Sequence, residues 1–211
     1  MIAVQSAASG ILKSCACIAV LLASSAMAAA PTSPTSFPIS DKSFECITEL
    51  THVRHFYVGN LAGNLAGTVK VAQAGTGVYP VGSVLQLVPN EVMVKREKGF
   101  NATTHDWEFF DLNISPTEST IRTRGFQEVN NRFGGNCFNC HVKARAEFDL
   151  VCDNSHGCDP VPFTRAMSGA LQRTDPRCKN NPPVSAEDAA ALGQLGAIVK
   201  ALAAGSAPKQ N

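Results

Sequence analysis

Val84-Leu85-Gln86-Leu87-Val88-Pro89-Asn90-Glu91-Val92-Met93-Val94-Lys95 is the stretch whose reading decides the fold. Two runs rich in β-branched and aliphatic residues, 84–88 and 92–95, flank a short connection that contains proline, a residue with no N–H to donate to a central ladder. Runs this short read as strands, because a helix needs about ten residues or more. From residue 66 to residue 127 the same signature persists, β-branched and aromatic residues punctuated by Gly and Pro, and it predicts further strands at 107–112 and 120–126. Short connections favour antiparallel neighbours.

Outward from the strands, the pattern changes. Between residues 42 and 58, Phe44, Ile47, Leu50, Val53 and Tyr57 recur at threes and fours, which predicts a helix ending at Gly59-Asn60. The tandem Asn60-Leu61-Ala62-Gly63 and Asn64-Leu65-Ala66-Gly67 is too short for an architectural repeat and reads as a helix extension or a pair of turns. On the other side, a helix begins near Asn136 and is expected to continue through 142–148. A last helix, capped by Ser185 with Asp188 completing a capping box, runs to about Ala204 and stops at Gly205. The class is therefore α+β: a central antiparallel β-sheet with flanking helices, a cysteine-bearing helix after the sheet, and a C-terminal helix. Residues 41–180 form the principal domain and 181–211 the terminal helix and tail.

Composition excludes some functions. Charged residues make up 17% of the chain and the net charge is +1, so there is no electrostatic footprint for nucleic acid or an anionic membrane. Residues 1–28 read as a signal peptide, with Lys13, an apolar run over 16–22 and the small-residue site Ala26-Met27-Ala28. That run falls short of the ~20 residues of a membrane span, so no stable anchor is expected. Cys15 lies too early in it for a lipoprotein. The expected location is periplasmic or secreted, and residues 29–40 form a flexible leader rich in Pro, Ser and Thr.

The densest chemistry is Cys137-Phe138-Asn139-Cys140-His141. Two thiols at this spacing lie about one helical turn apart and can add across the two vinyl groups of a porphyrin, while the histidine that follows can bind the iron. One covalent haem c is the cofactor this implies, attached at Cys137 and Cys140 with His141 as metal ligand. Three alternatives stay open. A thioredoxin-like dithiol would follow a strand, whereas residues 129–136 read as a loop. A zinc site would borrow Cys152 with Cys158 or His156. A plain disulfide is the third. Removing the signal peptide leaves six cysteines, Cys46, Cys137, Cys140, Cys152, Cys158 and Cys178. If haem consumes two, Cys152 and Cys158 pair first across a turn-rich loop. Cys46 and Cys178 then pair by elimination, or stay as buried thiols.

The haem motif late in the chain, the preceding β-rich segment, and the strings Tyr79-Pro80-Val81-Gly82-Ser83-Val84 and Asp106-Trp107-Glu108-Phe109-Phe110 together resemble the cytochrome P-460 family and its relative cytochrome c′-beta, over residues 40–165. The resemblance implies a homodimeric, mainly antiparallel β fold with one c-type haem attached outside the cytoplasm. His141 would be proximal, with the other iron face open or capped by an apolar side chain. Such proteins oxidise hydroxylamine or bind nitric oxide. Hydroxylamine-oxidising members carry a porphyrin-linked lysine in a Gly-Thr-Val-x-Val-Lys strand; aligning Gly82-Ser83-Val84 puts Leu87 there, and aligning residues 92–95 offers Lys95. The other reading of Lys95 places it with Arg96 and Lys98 in a solvated charged turn.

The second axial position is open in sequence. Met93 sits in an apolar strand as core filler, Met167 lies in a polar, loop-like stretch, and His52, His55, His105 and His156 read as surface or satisfied histidines. For an open iron, Glu108 is the candidate for proton transfer and Phe109 or Phe110 for an apolar lining. Alternation puts Glu108 with Phe110 on one side and Trp107 with Phe109 on the other. Arg122 or Arg124 could pair with a haem propionate, although a strand with one wet face explains these residues equally well. Three functions follow: a haem protein acting on a small nitrogen species, a periplasmic electron carrier with a six-coordinate haem, and a haem-free dithiol module. Whether the chain is an enzyme is left open, and its partners would be a small ligand and a periplasmic electron donor or acceptor.

Overall fold

Six strands, hydrogen-bonded in sequence order and all antiparallel, build the sheet: β1 (Thr51–Val53), β2 (Phe56–Asn60), β3 (Ser83–Val88), β4 (Glu91–Lys95), β5 (Trp107–Ile114) and β6 (Ser119–Gly125). The structure, a computed structural model, describes residues 37–205; the signal peptide read at 1–28 and leader residues 29–36 lie outside the described residues. The predicted central hairpin is β3–β4, with Val84 opposite Val94, Leu85 opposite Met93, and a register shift before Val88 meets Glu91.

Because side chains alternate along each strand, the register sorts residues onto two faces. One face presents Val58, Leu85, Met93, Trp107 and Phe109. It is covered by helix α1 (Leu65–Ala74) and by Val129, Leu150 and Val151 from the chain after β6. The other presents Val84, Val92, Val94, Phe110 and Leu112, covered by Phe37 and Phe44. Phe37 is buried, and the Arg96 guanidinium lies 5.4 Å from its ring centroid, so the packed chain already includes the last residues of the leader.

The helix expected over 42–58 does not form. The chain makes two 3₁₀ turns, Asp41–Ser43 and Ile47–Glu49, then β1 and β2. A spacing of three also fits 3₁₀ turns, and Arg54, at φ 57°, reverses the chain so that Val53 and Phe56 pair across a hairpin. At the start of the β-rich region, where the sequence reading places no strand, α1 forms, with the Asn64 side chain accepting from Gly67 N and Gly75 at φ 71° ending it. The first Asn-Leu-Ala-Gly is thus a turn and the second opens a helix. Helix α2 is Cys137–His141, and it does not continue through 142–148. Arg145 N donates to His156 O at 2.8 Å, and the chain re-forms only a 3₁₀ turn at Ala146–Phe148.

Helix α3 (Arg165–Arg173), capped by Thr164, occupies the stretch read as loop-like and packs Met167 and Ala170 against Ala191 and Leu195 of α4 (Ala186–Ala203). Ser185 caps α4 as expected, but the Asp188 carboxylate turns to Arg173, with Nε 3.0 Å and Nη2 2.5 Å away, so only half of the capping box is made. Both expected disulfides are present. Cys46–Cys178 joins positions 132 apart and Cys152–Cys158 positions 6 apart. In the chain-entropy account they stabilise by about 5 and about 2 kcal/mol respectively. No described helix is long and apolar enough to cross a membrane.

Candidate functional site

Asn136 sets the site. Its side-chain oxygen accepts from Asn139 N and its amide donates to the carbonyls of Phe126, Gln127 and Val129, which starts α2 at a fixed place beside the end of β6. One short turn of helix then carries Cys137, Cys140 and His141, each half-buried, and both thiols are unpaired. His141 Nδ1 lies 2.7 Å from Leu150 O. A carbonyl can only accept, so the ring proton sits on Nδ1 and the lone pair on Nε2 is left for a metal. Desolvation holds the His141 pKa below its ordinary value, keeping the ring neutral as a ligand must be.

Leu150 offers that carbonyl from an unusual backbone. Asp149 and Leu150 have φ of 49° and 61° in succession. Non-glycine residues pay roughly 1–2 kcal/mol each for this region, so the surroundings must fix it.

Cys137, Cys140 and His141 border a cleft of about 170 Å³ that opens to solvent. The first sheet face supplies its floor through Leu85, Leu87, Met93 and Phe109, and Val151 and Phe163 close the sides. The Phe109 ring centroid is 5.2 Å from that of His141. A concave, mostly apolar space with a few convergent polar groups is the usual form of a cofactor or small-molecule site.

The thiols are held protonated. Burial, then the nearby carboxylates Glu91 and Asp111, push Cys137 up to about 12, and burial also raises Cys140. A redox dithiol needs a depressed pKa at a helix start after a strand; here the pKa is raised and α2 follows a loop. The zinc reading loses its second ligand pair, because Cys152 and Cys158 are bonded to each other. His156 is stacked on Phe148 at 3.7 Å with its Nδ1 2.6 Å from Val151 O. Two neutral thiols, an imidazole with a free Nε2 and an apolar cleft beside them fit a covalently held haem.

The distal candidates fare differently. Glu108 lies on the face away from the cleft, where it pairs with Arg96 and accepts from Arg124 Nε at 2.7 Å and Nη2 at 3.0 Å. It is therefore placed as a buried ion-pair partner and not as a proton donor to the cleft. Arg124 is engaged there and Arg122 pairs with Asp111, so neither is left for a propionate. Phe109 and Phe110 both border the cleft, but the Phe110 ring turns away from it and packs 5.0 Å from Phe44 in the opposite core. Lys95 is not part of a solvated turn: it is buried, with Nζ 2.8 Å from both Asp149 oxygens and 5.0 Å from the Trp107 ring. That commitment, and its absence from the cleft wall, speak against the cross-link.

Met93 presents its side chain to the cleft, while Met167 is buried between α3 and α4 and accepts from Thr164 N. His55 edges the cleft with Nε2 3.5 Å from Asp153, His105 Nδ1 sits 3.6 Å from Asp149, and the His52 ring lies tilted 4.9 Å from that of Tyr57.

Sequence reading missed Glu91. It opens β4 on the same alternation as Met93, lines the cleft, and stands directly opposite Asp111. Burial raises its pKa to about 7; the Arg132 N–H, 3.4 Å from Oε1, opposes the rise, Asp111 adds to it, and the Arg132 charge lowers it. The signal available in sequence was a lone acid at the head of an otherwise apolar strand. No family model, curated protein or solved structure matches this chain.

Proposed function

We propose that this chain is a c-type haem protein of the cytochrome P-460 kind, exported from the cytoplasm, that binds or oxidises a small nitrogen species such as hydroxylamine or nitric oxide. The observation that carries the reading is the convergence of two protonated thiols and an imidazole with an unengaged Nε2 on one apolar cleft. Cys137 and Cys140 would hold the porphyrin edge and His141 the iron. Haem bound there would supply a redox-active iron with a position open to a small ligand.

The chain's own contributions follow from the cleft. Its aliphatic and aromatic wall excludes water and so favours small, weakly hydrated ligands. Glu91, with its pKa raised to about 7, is poised to take up or give a proton near neutral pH and can exchange one with a bound ligand. The groups that face it are Asp111 on β5, Arg132 after β6 and Cys137 on α2, with Arg122 acting through Asp111. A second reading, a six-coordinate electron carrier, is favoured by one observation: the Met93 thioether is on the cleft wall.

A reduced-state absorption spectrum of protein matured in an export-competent host, recorded with and without carbon monoxide, tests both. A rapid ligand-induced change is the expected result. A six-coordinate spectrum inert to carbon monoxide supports the electron carrier, and a colourless product after acid-acetone extraction defeats the haem reading altogether.

A further inference from the structure

We infer that the buried Lys95–Asp149 pair is a positioning device for the His141 imidazole, acting through the two left-handed residues Asp149 and Leu150. The Asp149 carboxylate and both carbonyls of this segment are used. The Asp149 carboxylate takes Lys95 Nζ at 2.8 Å on both oxygens and Tyr79 N at 2.9 Å. The Asp149 carbonyl accepts from Trp107 Nε1 at 2.7 Å. The next carbonyl, that of Leu150, accepts from His141 Nδ1 at 2.7 Å. Strand ends on the sheet thus pin a strained dipeptide, and the dipeptide fixes which nitrogen of His141 carries the proton.

The arrangement explains a cost that the fold otherwise bears for nothing. A lysine and an aspartate, 6% and 3% exposed, are expensive to desolvate and give little net stability as a pair. Asp149 and Leu150 add an unfavourable backbone. No other described group accepts from His141, so without the Leu150 carbonyl in place the ring would rotate and share its proton between both nitrogens. Groups that orient a ligating histidine through its second nitrogen alter metal affinity or activity by about 10–100-fold when lost.

The effect on a metal rests on the haem reading, but the positioning itself is a property of the haem-free chain and is tested there. Asp149→Asn keeps the shape and tolerates positive φ while removing the charge that holds Lys95. Nitrogen-15 NMR of the haem-free protein should show a single Nδ1-protonated His141 in the parent, and in Asp149→Asn a mixture of tautomers with Nδ1 proton exchange faster by about 10-fold or more. Trp107→Phe, which removes the indole N–H from Asp149 O together with part of the ring beside Lys95 Nζ, should move the same signal in the same direction and serves if Asp149→Asn fails to fold. Arg124→Met breaks a pair of similar kind on the opposite face and should leave the His141 signal as in the parent. In haem-loaded protein the ferrous iron–histidine stretching band should shift to lower frequency in Asp149→Asn. An unchanged His141 tautomer and exchange rate in the folded variants overturns the inference, whether or not the parent binds haem.

Discussion

The two faces of the sheet are built from the same strands by the same alternation, yet one is filled and the other is left with a cleft. On the filled face, Phe110, Val94 and Leu112 meet Phe37 and Phe44, and the buried charge Glu108 is closed by two arginines. On the open face, Leu85, Met93 and Phe109 look into a cleft of about 170 Å³ bordered by two thiols and an imidazole, and among the described residues no cationic side chain is bonded to the half-buried carboxylate of Glu91. The difference teaches that α1 and the chain after β6 cover this face only in part, and that the space they leave, beside an acid with no bonded counter-ion, is what the proposed function rests on.

Truncation should measure this most strongly. Phe110→Ala, on the filled face, is expected to cost about 3–5 kcal/mol, because a new cavity adds to the lost transfer energy. Phe109→Ala opens into space that already exists and should cost closer to about 2 kcal/mol, the transfer part alone. Urea unfolding of both variants checks the ordering, and equal costs would mean that the cleft is not open in solution.

Next in size is the charge on each face. Glu108→Gln strands two arginines and should destabilise by about 2–3 kcal/mol, less than a fully buried pair because Arg124 is partly exposed. If the chain carries haem as proposed, the carbon monoxide rebinding rate of this variant should match the parent at every pH. A pH-dependent change in that rate would return Glu108 to the role of proton donor.

The smallest expected effect is on pH dependence. Glu91 has a folded pKa raised to about 7 by burial, above its unfolded value, so the native state binds the proton more tightly than the unfolded chain does. The contribution is fully present below the unfolded pKa and is lost as pH rises toward 7, amounting to about 1–3 kcal/mol. Urea midpoints measured from pH 4 to 8 should show this fall in the parent and a flatter profile in Glu91→Gln.

Much of the filled face was legible in sequence, and less of the open one. Strand runs at 84–88 and 92–95 announced the central hairpin because alternation and proline act locally. Both disulfides could be paired by loop chemistry and elimination. The region 42–58 misled because threefold spacing fits 3₁₀ turns and helices alike, and α1 does not stand out in sequence because Gly67, Thr68, Val69 and Val71 interrupt its helix formers, while its caps and its packing on β2 fix it. Alternation placed Glu108 and Phe109 on opposite sides correctly, but could not say which side would hold the cleft. That is decided by where the chain after β6 returns. Glu91 and the Asp149–Lys95 pair were invisible for the same reason: their properties come from partners 20 to 54 positions away.

The elevated pKa of Cys137 has one more consequence. The same oxidising medium that would close the two structural disulfides would attack any exposed thiolate, yet a sulfur kept protonated near neutral pH reacts sluggishly with oxidants and with neighbouring disulfides. Burial beside two carboxylates thereby acts as a chemical shelter, preserving the Cys137 sulfur in reduced form beside four cysteines already committed to disulfides.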